Sequence, residues 1–499
     1  MPAAKKSLRT GATGLLLSAG LVLTSAPATA APPSLADQLA NKVSADGVQR
    51  HLIALQRIAE TNGGNRSANT GGYDASIDYI AGKLTNAGFE VSTPTFDATK
   101  FVVESESLEV DGQPVDVRTM SFSPSTEADG VTGPLAVLPE DDTPGCGPDD
   151  FQGADYTGTV ALIRRGACTF AEKQQYAADA GAIAAVVSNN EPGELSGTLG
   201  EPGAGSIPTG GVTQEDGDAL TGKAGASVTF ETVNHVEEFV ERNLVAQTRT
   251  GRADNVVTAG AHLDSVDEGP GINDNGSGSA ALLETALRMG GSPKVTNAVR
   301  FAWWGAEEQG LQGSTAYVRS LSFEQQLDIA LYLNFDMVGS PNAGYFAYDG
   351  DGSDFGEPGP QGSAHIEKSF VDYFDSTGVR IEGTELSGRS DYAEFVNVGI
   401  PAGGLFTGAE GVKTEEQARE WGGEAGAAYD PCYHTACDNL ANIDRQALDR
   451  NVKGIAHVTA SYGESTEGVN GVPSRQQRKE LRAASTRSAA PEGHSEAVR

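Results

Sequence analysis

The segment Ala261-His262-Leu263-Asp264-Ser265 closes an apolar, strand-like run that starts at Asn255, and it leaves a histidine and an aspartate two residues apart. A short loop later, Gly271-Ile272-Asn273-Asp274-Asn275-Gly276-Ser277-Gly278 puts an acid in a glycine-rich turn ahead of a helix-like stretch. Trp303-Trp304-Gly305-Ala306-Glu307-Glu308 and Asn334-Phe335-Asp336-Met337 also follow hydrophobic runs with acids, and Cys432-Tyr433-His434 adds a second histidine. In an α/β sheet such loops gather at the carboxyl edge of the strands, where ligands bind. Two histidines and three carboxylates collected there predict a metal site with two ions.

Zinc takes imidazole nitrogen and carboxylate oxygen, usually four ligands, and an open or water-filled position makes it catalytic. Two zincs roughly 3.5–4 Å apart need a carboxylate that reaches both. Asp274, in a turn free of bulky neighbours, suits that bridge. His262 and Asp336 then complete one shell, and Glu308 and His434 the other. Two Zn²⁺, three carboxylates and a bridging hydroxide sum to zero charge, which lowers the cost of holding them in a partly dry cleft. A ligating imidazole normally gives its second N–H to a carboxylate or carbonyl, and Asp264 is expected to accept it from His262. Glu307 and Glu308 are adjacent, so on an extended backbone they point apart; one can bind metal while the other faces the bound water as general base.

The elements that must position these groups follow from periodicity. Strand and helix patterns alternate from Asn243 onward: Val256–Ala261, Ala280–Met289, Val299–Trp304, Ile329–Phe335, His365–Tyr373, Ala402–Phe406 and Arg445–Tyr462. Such alternation predicts an α/β fold, a mostly parallel sheet sandwiched by helices. Helical spacing over Ser44–Glu60 and Asp74–Ala87 adds two core helices. Phe101–Val110, Asp111-Gly112 and Gln113–Thr119 read as a hairpin. Residues 121–232 are rich in Gly, Asp, Pro and Thr, with short strands and no catalytic cluster, and predict an inserted β-rich domain. The expected division is thus one α/β domain over 31–120 and 233–465, an insert over 121–232, and a disordered tail over 466–499, where periodicity stops and Arg475, Arg478, Lys479, Arg482 and Arg487 collect.

Bulk properties narrow the partners. The 499 residues carry a formal charge of −33, a surface that repels phosphate backbones and anionic lipid, so neither nucleic acid nor membrane is an expected partner. Residues 1–30 read as an export signal: Lys5, Lys6 and Arg9, an apolar stretch over Gly14–Leu23, and an Ala28-Thr29-Ala30 cleavage pattern. The mature protein is expected to be secreted and monomeric. Of the four cysteines, Cys432 and Cys437 flank a short loop that a disulfide could clamp, and Cys146 and Cys168 lie together elsewhere; no C-x-x-C spacing favours a cysteine zinc site. No H-E-x-x-H helix and no G-x-S-x-G elbow occurs, which disfavours zincins and serine hydrolases.

With all five metal positions in order, the chain resembles the secreted di-zinc aminopeptidases of bacteria, especially the leucyl aminopeptidases of Streptomyces, over most of residues 45–465. Cys146, Arg164-Arg165-Gly166-Ala167-Cys168-Thr169-Phe170 and Ile207-Pro208 resemble a protease-associated domain, inserted as in the aminopeptidase Y type. The resemblance implies that His262, Asp336 and Asp274 bind one zinc and Glu308, His434 and Asp274 the other. It implies Glu307 as general acid/base, Tyr433 as oxyanion donor and Arg389 beside the substrate. It further implies that Gly403–Thr407 lines the first side-chain pocket, that Cys432 pairs with Cys437, and that Asp274-Asn275 is a cis peptide. Calcium binding is left open. The expected activity is removal of an amino-terminal, apolar residue from peptides and small proteins. Two rivals remain: a carboxypeptidase of the same fold, with Arg389 holding a substrate carboxylate, and a non-enzymatic binding protein on a peptidase-like scaffold.

Overall fold

The computed structural model describes residues 33–488 except Pro192, with Gly11 besides. The rest of the expected leader and residues 489–499 lie outside the described residues. Among those described, no helix is long and apolar enough to cross a membrane.

Two eight-stranded sheets organise the described residues. Across the first run Glu90–Ser92, Leu244–Gln247, Asn297–Trp304, Arg252–His262, Ile329–Phe335, Ala402–Phe406, Phe346–Tyr348 and Glu382–Thr384. Its four central strands are parallel, and antiparallel strands continue it on both sides. Each central strand buries both faces, as a sheet covered by helices requires. Side-chain alternation divides even adjacent tryptophans. Trp303 packs into the core formed with the helices Ala45–Thr61, Gly276–Met289 and Arg445–Glu464. Trp304 packs on the opposite face with Tyr332, Phe395 and Ile400, where Tyr332 and Phe395 stack at 3.9 Å. The helices begin where the sequence supplies caps: Ser44 accepts from Gly47 N and Thr70 from Tyr73 N.

In the second sheet the ribbon formed by Thr95–Val110 and Ser227–Arg242 pairs from Thr95↔Arg242 to Val110↔Val228. At about 3.3 Å per residue these strands reach roughly 50 Å. The hairpin turn at Asp111-Gly112 forms as expected, both residues having positive φ. Four parallel strands, Val131–Val137, Val160–Arg164, Ala184–Ser188 and Thr209–Val212, complete most of the sheet. Strand residues 95–110, 113–115, 118–119 and 233–242, outside the insert expected over 121–232, lie in the second sheet. Alternation in 101–110 marks a strand but says nothing about which sheet accepts it.

The carboxyl-terminal segment corrects a second expectation. Arg475–Ser488 is helical and docks on the acidic helix Phe323–Asp328. Arg475 pairs with Asp328 at 2.7 Å and Glu324 at 2.8 Å, and buried Arg478 donates to Leu327 O at 2.8 Å and Asn255 Oδ1 at 3.0 Å. A basic run on an acidic protein has a complementary surface waiting for it, and here that complement orders the segment.

Candidate metal centre and cleft

The sheet register brings the predicted side chains to one edge. His262 is opposite Trp304, Gly260 opposite Asn334 and Asn334 opposite Gly404, so the loops after these strands leave at a common level. His262 ends its own strand, Asp336 follows Phe335, and Glu307 and Glu308 lie in the turn after Trp304. Asp274 precedes the helix Gly276–Met289, whose cap Asn275 accepts from Gly278 N at 2.9 Å and donates to Phe335 O at 2.9 Å. The Asp274–Asn275 peptide is cis. A Cβ on Gly278 would lie 2.1 Å from Phe335 O, so only glycine lets helix and strand approach here. His434 comes from a loop closed by the Cys432–Cys437 disulfide; Cys146–Cys168 joins two loops that flank the second sheet.

Two clusters result, and they share one residue. His262 Nε2 is 3.2 Å from Asp274 Oδ1 and 3.3 Å from Asp336 Oδ1. His434 Nε2 is 3.2 Å from Asp274 Oδ2 and 3.1 Å from Glu308 Oε2. Each group can converge on a metal ion, and the two oxygens of Asp274 face different groups. Glu308 Oε1 is buried without a hydrogen-bond partner, as an oxygen reserved for a cation would be. His434 lies nearest solvent, its side chain 41% exposed against 2% for His262.

Burial and neighbouring charge set the protonation. Burial alone would lower both imidazoles, but surrounding carboxylates outweigh it. They raise His262 well above the usual histidine range and push His434 up to about 11. Glu307 is raised well above the carboxylate range by burial, with Asp391, Glu308 and Asp336 adding. Burial also lifts Tyr433, helped by the negative Asp274 and Glu308, so its phenol keeps its proton. That ring stacks on His434 with centroids 3.8 Å apart.

Asp264 does more than expected. Its Oδ1 is 3.7 Å from His262 Nδ1, a loose approach, and the nearer acceptor is its own backbone carbonyl at 3.3 Å. Its carboxylate instead accepts the amides of Glu307 at 3.2 Å and Glu308 at 3.1 Å, holding the turn that carries both glutamates. Arg389 lines the cleft, but its guanidinium is paired with Glu410 at 2.9 Å. Of Gly403–Thr407 only Phe406 reaches the cleft; the remainder is buried strand end.

Several supporting residues were not singled out by sequence. Ser390 donates to Asp336 Oδ2 at 2.6 Å. Asp438 accepts the amides of Asn273 at 2.8 Å and Asp274 at 2.9 Å. Asp391, next to Ser390, is buried and is lifted to about 7, burial being the main cause. Fully buried Arg66 donates to the carbonyls of Leu263, Pro270 at 2.9 Å and Gly271 at 2.5 Å, tying down the loop between His262 and Asp274. Nothing in a lone arginine after a predicted helix signals such a contact 200 residues away. Arg66→Met keeps the stem and orphans three carbonyls among buried acids. We expect it to lower unfolding free energy by on the order of 3–5 kcal/mol, read by urea titration; a loss below about 1 kcal/mol would contradict this role.

A second acidic group, Asp349, Asp351 and Glu367, lies away from the cleft. Its oxygens already accept the amides of Gly350, Ser353, Asp354 and Phe355.

The centre opens into a cavity of about 980 Å³, lined on one side by His262, Asp274, Glu307, Glu308, Asp336 and His434. Known sequences match most of this chain. The peptidase family M28 pattern matches residues 243–459 and the PA domain pattern residues 131–220. A Mycobacterium tuberculosis protein named probable lipoprotein aminopeptidase LpqL is 49% identical over 441 residues, covering 87% of this chain and 88% of that protein. The chain belongs to peptidase family M28. Among solved M28-type folds, the aminopeptidase from Aneurinibacillus sp. strain AM-1 superposes with a TM-score of 0.71 at 27% identity, covering 88% of this chain and 98% of its own. BSAP, a zinc aminopeptidase from Bacillus subtilis, gives 0.64 at 26% identity, with 86% and 98% covered.

Proposed function

We propose that this M28 peptidase is a secreted di-zinc aminopeptidase that releases an apolar amino-terminal residue from peptides. The observation that carries the two-ion reading is the division of Asp274, one oxygen toward His262 and Asp336, the other toward His434 and Glu308. Zinc, the metal named for the Bacillus relative, fits a set of two imidazoles and three carboxylates. Bound there, it would polarise the scissile carbonyl and acidify a water.

The chain's own groups do the rest. Glu307, outside both clusters and held by Asp264, takes a proton from the attacking water and returns it to the leaving amine. Tyr433 donates its phenolic proton in a hydrogen bond to the developing oxyanion. The acids lining the cleft meet the free amino terminus. Ser390 orients Asp336, and Asp438 fixes the backbone that presents Asp274. The Arg389–Glu410 pair weighs against the carboxypeptidase alternative, because the cation that would take a terminal carboxylate already has an anionic partner. The filled ligand set weighs against a non-enzymatic scaffold. Two disulfides accord with an oxidising compartment.

A panel of aminoacyl amides, their N-acetylated forms and peptides ending in glutamate tests the reading, each assayed with and without chelator. Amides with a free amine should turn over, the acetylated forms should not, and zinc should restore chelated enzyme. Preferential release of carboxyl-terminal glutamate would overturn it.

A further inference from the structure

The cavity has further lining from the second sheet and its loops: Phe101, Phe122 and residues of the loop Ser196–Pro202 line the same space as the metal-centre residues. Phe101 and Phe122 meet edge to face at 5.8 Å, each half-buried. Phe122 holds a left-handed backbone, φ 67°, a conformation bulky residues rarely take. The neighbouring loop is stitched to it, with Ser121 N donating to Gly197 O at 2.8 Å and Leu199 N to Ser121 O at 2.9 Å.

This lining is fastened to the catalytic loops. Thr99 N donates to Gln312 Oε1 at 2.8 Å, and Gln312 Nε2 donates to Thr99 O at 2.6 Å and to Gln309 O at 2.7 Å, just after the Glu307-Glu308 turn. The next residue, Lys100, pairs with Asp267 at 2.6 Å in the loop leading to Asp274. Phe101 follows directly. The segment that carries Phe101 is thus bonded at once to the loop after Glu308 and to the loop before Asp274. Charge on the lining is one-sided: Glu201, Glu385 and Glu410 lie there, and the one Lys or Arg, Arg389, is already paired with Glu410.

We propose that Phe101 and Phe122 form the subsite for the peptide chain beyond the scissile bond, so that the enzyme selects peptides with apolar second and third residues and disfavours acidic ones. The assignment rests on the aminopeptidase reading above. A cavity of about 980 Å³ exceeds the needs of one amino acid, its far side carries the two apolar rings Phe101 and Phe122, and Arg389 on its lining is neutralised by Glu410. Apolar side chains entering it gain burial, whereas acidic ones meet uncompensated carboxylates.

Leucinamide, which has nothing beyond the first residue, separates the two readings from each other. It is assayed beside Leu-Phe-Phe, Leu-Ala-Ala and Leu-Glu-Glu. The unaltered enzyme should show kcat/KM falling in that peptide order. Phe101→Ser with Phe122→Ser should lower kcat/KM on Leu-Phe-Phe by roughly tenfold or more, mostly through KM, and leave leucinamide within about threefold. Thr198→Trp, an addition on the exposed loop that leaves both phenylalanines in place, should hinder all three tripeptides and spare leucinamide. Equal losses on leucinamide and tripeptides, or no change on any tripeptide, would overturn the subsite. Failure of the unaltered enzyme to cleave leucinamide would instead strike the aminopeptidase reading.

Discussion

Glu307→Gln is expected to lower kcat by roughly 10²–10⁴-fold, the scale of general acid–base catalysis, while the protein keeps its full zinc content. The substitution preserves shape and removes the proposed base. Both glutamates are pinned through their amides to one carboxylate, Asp264, so neither should move when the other changes. Their side chains then part. Glu308 Oε2 reaches His434 at 3.1 Å and its Oε1 is buried and unpartnered, whereas Glu307 belongs to neither ligand group. Burial, with Asp391, Glu308 and Asp336 nearby, makes Glu307 a stronger base than a free carboxylate, as a group that must accept and then return a proton needs to be. Glu308→Gln should instead release one ion, with partial recovery in excess zinc. Metal analysis beside steady-state kinetics decides it: a Glu307→Gln protein that loses zinc while Glu308→Gln keeps both ions means the roles are exchanged.

The sequence exposed the peptidase sheet and its carboxyl-edge loops because periodicity and acid placement are local signals. His262, Asp274, Glu308, Asp336 and His434 each follow a strand-like run, precede a helix-like one or sit in a short loop between two cysteines, and the structure brings all five together. What escaped was long-range. Arg66, Ser390, Asp391 and Asp438 act on the centre from segments whose local pattern is ordinary. The ribbon from Thr95 looked like part of the peptidase half because a strand's period does not name its partner. The basic tail looked disordered because its lack of apolar residues hid an electrostatic docking surface, the acidic helix at Phe323–Asp328. Likewise the aromatic wall needs Phe101 and Phe122 to meet, and twenty residues of strand and turn separate them.

The bridge carries the other large effect. On the proposed two-ion reading, Asp274→Asn should abolish activity and reduce bound zinc to less than one ion per chain, because both ligand groups use this carboxylate and an amide offers neither ion a charged oxygen. His262→Ala and His434→Ala each touch one group, so each should retain one ion more firmly than Asp274→Asn does. Proton linkage supplies an independent check. In the metal-free protein both imidazoles are held protonated by the carboxylates around them, His434 up to about 11, so a bound zinc must displace a proton from each. Raised ligand pKa values mean that protons compete throughout the neutral range. Zinc affinity of the chelator-stripped protein should therefore fall as pH drops from 8 to 6, by about tenfold per pH unit for each ion whose binding releases one proton. Calorimetry in buffers of different ionisation enthalpy counts those protons directly. A single zinc per chain in fully active enzyme, or two ions retained by Asp274→Asn, would rule out the shared bridge.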